Sequence, residues 1–523
     1  MKNFLRLLLP ALVLASCSEA EVSLPEAVPA PSREKVEIVS HEMIRLGSRL
    51  ENPYSVTNIG KALAAAYPVR SAVEVPVNAR YVRFLPKTAE DYYALEGLGV
   101  EMFDHPLDYE ILVDGDYYQD PSIPEGELTW QYAVVPPGFK CPEGIRYEVI
   151  EDCFIPEDGV ETRGFEDVDW DRVERLSFEA TGNAGLLAPE TRAKAKPSGK
   201  IVIRDEKLGK DVGVAGVKMM ANVLVKVSST FTDADGNYSF PAKFSARPRY
   251  SICFQNTIGF TIGMNLILVP ASVSALGKDN PEGIDVKIDK NSDKTLFRRC
   301  AVNNAAYDYF QRCSGDGVAK PAVNLRFWIL NILRPSSALM MHHGSMLEGN
   351  LVSNYLDIYK GLIRVFAPDI TIGSKDKNGC YEELYSCASH EIAHASHFQM
   401  VGTSYWNVFT KYILSSFLMT GSCYGSGNGD YAGHCEVAEM WAYHYENMIY
   451  KGRYGTNPHH GISNWFRPDI FAVLEDQGVS RKDIFNAVAS GVTDITQLQE
   501  ELISLCPSKK TVITNAFKKN KRS

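Results

Sequence analysis

The clearest alternation of apolar and polar positions lies between residues 198 and 290. The segments GKIVIRD, GVAGVKMMA and VLVKVSSTFTDADGNYSFP carry apolar side chains at alternating positions, are rich in β-branched residues and are separated by turn residues. Successive side chains of a strand point to opposite faces of a sheet. The pattern therefore predicts short, half-buried strands that pack as a small β-sandwich.

The residues before the sandwich have a different pattern. Helical spacing covers residues 41–67, and residues 80–112 indicate a strand, a helix that begins after Thr88 and a second strand. We therefore expect a small α/β domain over residues 41–160. Residues 161–197 are acidic and contain Pro and Gly, so they are expected to form a linker.

Helical spacing dominates residues 295–505. CAVNNAAYDYFQRC predicts a helix, whereas LRFWILNIL, GLIRVFA and PDITIG predict strands. Residues 506–523 are basic and are expected to be a frayed tail. The whole chain is therefore expected to be a multidomain α+β protein whose last domain is mostly helical.

The first 16 residues have the pattern of a secretory signal. Basic residues precede an apolar run, residues 7–15, that is too short to span a bilayer. The segment that ends in Cys17 resembles the bacterial lipobox, and the acidic residues after it resemble export signals of Bacteroidetes surface lipoproteins. The resemblance implies lipid on Cys17, an outer-membrane location facing the periplasm or the cell surface, and a flexible tether over residues 17–40.

Composition and charge limit the classes of function. A chain of 523 residues has room for about three domains at roughly 150 residues each. Its 54 basic and 64 acidic side chains give a formal net charge of -10, whereas nucleic-acid-binding proteins normally carry a basic excess. We therefore expect no nucleic-acid partner.

The eleven cysteines are more than a reducing cytosol explains. If Cys17 carries lipid, the remaining cysteines are even in number and can all pair. The sequence does not fix the connectivity, so near neighbours are the working hypothesis. The expected disulfides are Cys141–Cys153, Cys300–Cys313, Cys380–Cys387 and Cys423–Cys435.

The sharpest chemical signal is the segment HEIAH at residues 390–394, inside an Ala-rich stretch with helical spacing. Positions i and i+4 share one face of a helix, so His390 and His394 can bind one metal ion. Zinc suits this pair, since it lowers the pKa of a bound water to about 7 and polarises a carbonyl. We therefore predict Zn²⁺ on these histidines and Glu391 as the general base that activates the zinc-bound water.

The third ligand is less clear from spacing alone. A metzincin would need a histidine at position 400, which is Met400. His397 shares the helical face, but a straight helix places it about 10 Å along the axis from His390, so packing beside the site is its expected role. Downstream, Glu436 and Glu439 lie on a predicted helix, and either carboxylate could complete the site.

Two segments resemble known families. The run Ala438-Glu439-Met440-Trp441-Ala442 is similar to the Glu-x-x-Ala of gluzincin metallopeptidases. That resemblance implies Glu439, ahead of Glu436, as the third zinc ligand and a zincin-like catalytic domain, in which PDITIG would be the substrate-aligning edge strand. The chain lacks the Asn-Glu opening of related subfamilies, so the subfamily stays open. Residues 213–217 and 232–240 resemble the carboxypeptidase regulatory-like domain, which implies a transthyretin-like sandwich over about 90 residues.

These features together predict a lipid-anchored extracytoplasmic zinc metallopeptidase that hydrolyses a peptide or protein substrate. Four residues near Glu439 could donate a hydrogen bond to the oxyanion of the transition state, and the sequence does not select one of them. The candidates are Tyr431, His434, Tyr443 and Tyr445. The alternative is a surface binding or adhesion lipoprotein whose metallopeptidase-like domain is catalytically silent. A further possibility is that the N-terminal domain inhibits the enzyme until it is cleaved off.

Overall fold

A computed structural model describes residues 43–520, apart from a set of internal gaps. The gaps are residues 71–73, 116, 125–126, 157–164, 166, 190–195, 264–270, 279, 292, 331–338, 341–368, 374–378, 421–423 and 459–464. The predictions outside the described residues concern the signal peptide (1–16), the tether (17–40), Cys17, Cys423 and the strand GLIRVFA. The described residues form ten α-helices and strands in four sheets, which confirms a mixed α+β fold.

The first part of the described chain alternates strands and helices. Its elements are β1 (Arg45–Arg49), α1 (Val56–Ala66), β2 (Ala79–Leu85), α2 (Ala89–Gly97), β3 (Tyr109–Val113), β4 (Gln131–Val135) and β5 (Arg146–Cys153). Strands β4, β2 and β5 form an antiparallel sheet in that order. The helix predicted after Thr88 is confirmed, because Thr88 and Asp91 form a reciprocal capping box at its start. The helix predicted over residues 41–67 is wrong in its first half, because β1 pairs with β3.

The expected linker over residues 161–197 contains a packed helix, α3 (Trp170–Ala180). Val173 and Phe178 of this helix are fully buried. Tyr54 Oη also donates a hydrogen bond of 2.7 Å to the buried Glu174 carboxylate. The prediction of a linker is therefore wrong for this stretch, because the apolar positions of α3 matter more than its acidic composition.

The strands predicted between residues 198 and 290 are confirmed. They are β6 (Ser198–Asp205), β7 (Lys210–Gly213), β8 (Val217–Val223), β9 (Lys226–Phe231), β10 (Asn237–Ser239), β11 (Arg249–Asn256), β12 (Thr261–Gly263), β13 (Val273–Lys278) and β14 (Val286–Ile288). One sheet contains β10, β6, β14 and β7, and a second contains β9, β8, β11, β13 and β12. The second sheet continues into the next region, because β12 pairs in parallel with residues 326–328. It therefore crosses residues 290–295, where the sequence predicted separate domains.

The C-terminal part is mostly helical, as predicted. Its elements are α4 (Lys294–Asp316), β15 (Arg326–Leu330), β16 (Leu339–Met340), β17 (Ile370–Gly373), α5 (Tyr381–Thr420), α6 (Ala432–Tyr454), α7 (Asp469–Asp476), α8 (Arg481–Ala487), α9 (Ile495–Leu505) and α10 (Lys510–Lys519). The large sheet has the order β16, β17, β15, β12, β11, β8, β9. The strand predicted from PDITIG is present as β17, but it is not at the edge of the sheet, because the backbone of β16 pairs with it.

Two helical features bear on the predictions. Helix α5 is interrupted at Gly402, whose φ of 73° and ψ of -179° are essentially restricted to glycine. Helix α10 buries Ile513, Ala516 and Phe517. The frayed tail predicted over residues 506–523 is therefore wrong for its described part, because these apolar side chains share one helical face. Within the described residues, no helix is both long and apolar enough to span a bilayer.

The disulfide predictions are wrong wherever the structure describes both cysteines. No disulfide joins two of the cysteines that the structure describes. Cys300 and Cys313 both lie on α4, so about 20 Å of helix separates them, whereas a disulfide needs Cα atoms within about 7 Å. Cys380 and Cys387 are separated in the same way, by two turns at the start of α5. The pair Cys141–Cys153 fails because its members pack in different apolar clusters.

Candidate metal centre

Two long helices, α5 and α6, pack against each other and carry the predicted metal ligands. His390 and His394 lie one turn apart on α5, and Glu439 lies on α6. All three side chains are buried, with 4%, 1% and 0% of their surface exposed. Within the described residues, they are the one group of histidine, cysteine or carboxylate side chains that could hold a metal ion, and their donor atoms lie within 4.8 Å of one another.

The spacing of the donor atoms fits a single ion. The distance from His390 Nε2 to Glu439 Oε2 is 3.4 Å, and the distance from His394 Nε2 to Glu439 Oε1 is 3.5 Å. Ligands bound to zinc at about 2.0–2.1 Å in a tetrahedron lie roughly 3.3–3.4 Å from one another. Both nitrogens of His394 are buried without a hydrogen-bond partner. The residues present therefore fit a zinc ion.

The charges of the site favour a cation. Burial alone would raise the pKa of Glu439, but the two histidines lower it to about 2, so its side chain is a carboxylate. Burial lowers the pKa of His394 and keeps that imidazole neutral. Burial also disfavours the charged form of His390, but hydrogen bonds to Glu439 and Glu446 raise its pKa to about 10. A buried cluster with more carboxylates than cations is stabilised by a bound metal ion.

Glu446 supports the site, although the sequence analysis assigned it no role. It lies on α6, two turns after Glu439, and its Oε2 is 3.0 Å from His390 Nδ1. Ser386, one turn before His390 on α5, donates a hydrogen bond to the other carboxylate oxygen. A carboxylate on Nδ1 fixes the ring so that Nε2 points at the metal position. The signal in the sequence was the spacing of seven residues between Glu439 and Glu446, which places both on one face of α6.

Glu391, the predicted general base, belongs to the same buried cluster. Only 1% of its surface is exposed. Its charge acts on His390 and, together with that of Glu446, on the Cys387 thiol one turn earlier. Burial first, and then these carboxylates, raise the pKa of Cys387 well above its ordinary value. The Glu391 carboxylate is therefore close enough to His390 to affect the charge of that imidazole.

The second half of α5 folds back over the histidines. Gly402 breaks the helix eight residues after His394. The ring of Trp406 then lies 5.5 Å from that of His394, and the ring of Phe409 lies 5.8 Å from it. These aromatic rings exclude water from one side of His394. No periodicity argument in the sequence pointed to them.

The remaining candidates separate into neighbours of the site and residues used elsewhere. Glu436 forms an ion pair with Arg467 and is not a member of the triad that could hold a metal. His397 is not a member of the triad, and its Nε2 bonds the Val488 carbonyl at 2.8 Å, in agreement with the predicted packing role. Burial lowers the pKa of His397 to about 3, so this imidazole is neutral.

One of the four candidate oxyanion donors contacts a metal ligand. The ring of Tyr443 lies 4.5 Å from the ring of His390. Tyr445 donates its hydroxyl to Asp316, and His434 packs on Tyr405. Tyr431 is 53% exposed. Tyr443 is therefore the candidate that the fold brings to one of the two histidines of the site.

In comparisons with known proteins, no family model matches the chain and no curated protein matches it. The assignment of a class therefore rests on the fold and on the site. Together they define a mixed α+β protein with a buried triad of two histidines and one glutamate that could hold a metal ion. The metal and the reaction are the subject of the proposal that follows.

Proposed function

We propose that the chain is a zinc metallopeptidase of the gluzincin type. The observation that carries the proposal is the convergence of His390, His394 and Glu439 on one metal position, with Glu391 adjacent to the first histidine. Two imidazoles and one carboxylate are a donor set of catalytic zinc sites, which keep a further position open for water or substrate. Structural zinc sites more often use four protein ligands rich in cysteine.

Each residue of the cluster has a role in this chemistry. When bound, zinc would act as a Lewis acid on the scissile carbonyl and would acidify water. Glu391 takes the proton of the attacking water and passes it to the leaving amine. Glu446 holds the His390 ring through Nδ1, and Ser386 holds the Glu446 carboxylate. The Trp406 and Phe409 rings keep water away from His394.

The fold supports the same class. Helix α5 follows β17 along the chain and packs with α4 and α6, an arrangement that resembles the zincin-like domain expected from the sequence. Strand β16 is antiparallel to β17 and lies at the end of the large sheet, so we propose β16 in place of β17 as the strand that aligns substrate. The transthyretin-like identity of the sandwich and the lipid anchor of an outer-membrane protein at Cys17 remain part of this proposal.

One observation favours a second candidate, a binding lipoprotein with a catalytically silent domain. His390, Glu391, His394 and Glu439 are all at most 4% exposed. A metal in a closed site could serve the fold without meeting a substrate. Both candidate functions include a bound metal ion, but only the peptidase would hydrolyse peptide bonds.

The test compares the chain without residues 1–16 with its Glu391→Gln variant. We expect both proteins to hold about one zinc ion, and only the first to cleave a peptide library in a chelator-sensitive way. Glu383→Gln is the matched control, because Glu383 is an exposed carboxylate at the start of the same helix. Full hydrolysis by Glu391→Gln would refute the mechanism, and bound zinc without any turnover would favour the silent domain.

A further inference from the structure

The turn between β6 and β7 of the sandwich reaches the two helices that carry the metal ligands. Two of its residues, Asp205 and Lys207, bond residues at the first turn of α5 and the last turns of α6. We call these two residues and their partners the clamp. The partners are Tyr381 and Glu382 on α5, Asp308 on α4, and Tyr450, Arg453 and Tyr454 on α6.

Asp205 is the buried half of the clamp. Its side chain is 0% exposed, and its Oδ2 accepts bonds from Arg453 Nη2 at 2.9 Å and from Tyr454 Oη at 3.1 Å. The Arg453 guanidinium also bonds Asp308 Oδ2 at 3.3 Å and the Tyr381 hydroxyl at 3.4 Å. A single sandwich carboxylate is thereby linked to the end of α6 and to the start of α5.

Lys207 makes a second link of the same kind. Its Nζ lies 2.6 Å from Glu382 Oε2 and 2.7 Å from the Tyr450 hydroxyl. Tyr450 donates to the same Glu382 carboxylate at 2.7 Å. The ammonium group therefore joins one residue of α5 and one of α6 in a closed three-membered network.

The position of the clamp along the helices gives it a consequence for the metal centre. Glu382 lies eight residues before His390 on α5, and Tyr450 lies eleven residues after Glu439 on α6. Close to the candidate ligands, Glu446 links α6 to His390 and Ser386 of α5. The clamp links the same two helices nearer to the start of α5 and the end of α6. Metal sites tolerate errors of only about 0.2 Å in their ligand distances, so the spacing of α5 and α6 governs affinity.

We propose that Asp205 and Lys207 are positioning residues, through which the sandwich sets the spacing of the two ligand-bearing helices. The sandwich then supports the metal centre, although all three candidate ligands lie on α5 and α6. This inference rests on the metal site of the proposed function, but it does not depend on peptidase activity.

The experiment measures the zinc dissociation constant by chelator competition and the melting temperature of the same samples. Lys207→Met is the first variant, and Lys218→Met is its matched control. Lys218 also belongs to the sandwich, and its Nζ lies 2.6 Å from Glu101, outside α5 and α6. The exposed fractions of this pair, 15% and 24%, are close to the 22% and 24% of Lys207 and Glu382.

We expect Lys207→Met to weaken zinc binding about tenfold and Lys218→Met to leave it unchanged, while the two melting temperatures of the zinc-free proteins fall by similar amounts. Lys207→Arg, which keeps the charge, should restore most of the affinity. Asp205→Asn keeps the shape of its side chain and provides the second variant, with a loss of at least the same size.

Equal zinc affinities for Lys207→Met, Asp205→Asn and the wild type would overturn the inference, whatever the melting temperatures. A weaker affinity that Lys207→Arg does not restore would also contradict a role for the ammonium group. Zinc binding without hydrolysis in the wild type would reject the peptidase proposal alone, because the affinity comparison needs no turnover. A wild type that binds no zinc would overturn both.

Discussion

Helices α5 and α6 are joined by two polar clusters that differ in the kind of group beside each carboxylate. At the clamp, Arg453 and Lys207 face the carboxylates of Asp205 and Glu382, so each anion has a cation beside it. At the metal centre, the carboxylate of Glu439 faces His390 and His394, and the carboxylate of Glu446 faces His390. The clamp therefore pairs carboxylates with permanently charged side chains, whereas the metal centre pairs them with imidazoles.

The difference predicts that the two clusters are stable under different conditions. Buried charges are tolerated when they are paired, and removing one partner is costly because the other stays buried. The clamp meets this condition in the folded chain alone. At the metal centre a bound cation would add positive charge beside Glu439, so the stability of this cluster should depend on the supply of metal.

The largest expected effect tests that dependence. Zinc at about 1,000 times its dissociation constant should raise the free energy of unfolding by about 4 kcal/mol. The Glu439→Gln variant should lose this increment, because it lacks the carboxylate that both histidines face. Urea unfolding with zinc and with a chelator measures it. An equal increment in the variant would place the metal elsewhere.

The next effect concerns the clamp. Arg453→Met should lower the free energy of unfolding by about 3 kcal/mol, with or without zinc, because it leaves Asp205 buried without its cation. Arg204→Met removes a more exposed ion pair with Asp211 and should cost much less, because water screens that pair. Urea unfolding of both variants without metal is the measurement. A cost for Arg453→Met that disappears without zinc would erase the contrast between the two clusters.

Glu446→Gln should have a smaller effect that is confined to metal binding. The amide still reaches His390 Nδ1 but no longer offers it a negative charge. Zinc affinity should fall about 10- to 100-fold, which corresponds to roughly 1.4–2.7 kcal/mol. Chelator competition measures it, with Glu383→Gln as the control. Unchanged affinity would mean that Glu446 does not support the ligand.

Gly402→Ala should produce the smallest change. Nothing lies within 4 Å of the added methyl group, so its cost comes from the backbone conformation at φ 73°. We expect a loss of about 1–2 kcal/mol in the free energy of unfolding. The Trp406 ring packs on His394 after this bend, so the fluorescence of the variant should also change. Alanine tolerated at no cost would show that α5 does not bend there in solution.

Features made by residues close together in the sequence could be predicted, whereas contacts between distant residues could not. His390, Glu391 and His394 could be found because they share two turns of one helix. Glu439 was ranked above Glu436 only by resemblance, since spacing alone does not show that Glu436 pairs with Arg467. In the clamp, Asp205 and Arg453 are 248 positions apart in the chain. A pattern within one helix or strand cannot predict such a contact.

The errors have the same origin. Neighbouring cysteines were expected to pair, but a rigid helix holds Cys300 and Cys313 apart. Residues 161–197 were expected to be a linker because of their acidic composition, but the apolar residues of α3 within them form a buried helical face. The parallel pairing of β12 with β15 is made by backbone groups, which every residue type supplies, so the sequence pattern does not show that the sheet continues.

The central claim is that α5 and α6 together form a zinc site, and the zinc content of the purified chain tests it most directly. After equilibrium dialysis against zinc, the wild type should retain about one ion per chain. The His394→Ala variant should retain much less under the same conditions, with its circular dichroism spectrum unchanged. A wild type without zinc, or a variant that holds as much zinc as the wild type, would contradict the claim.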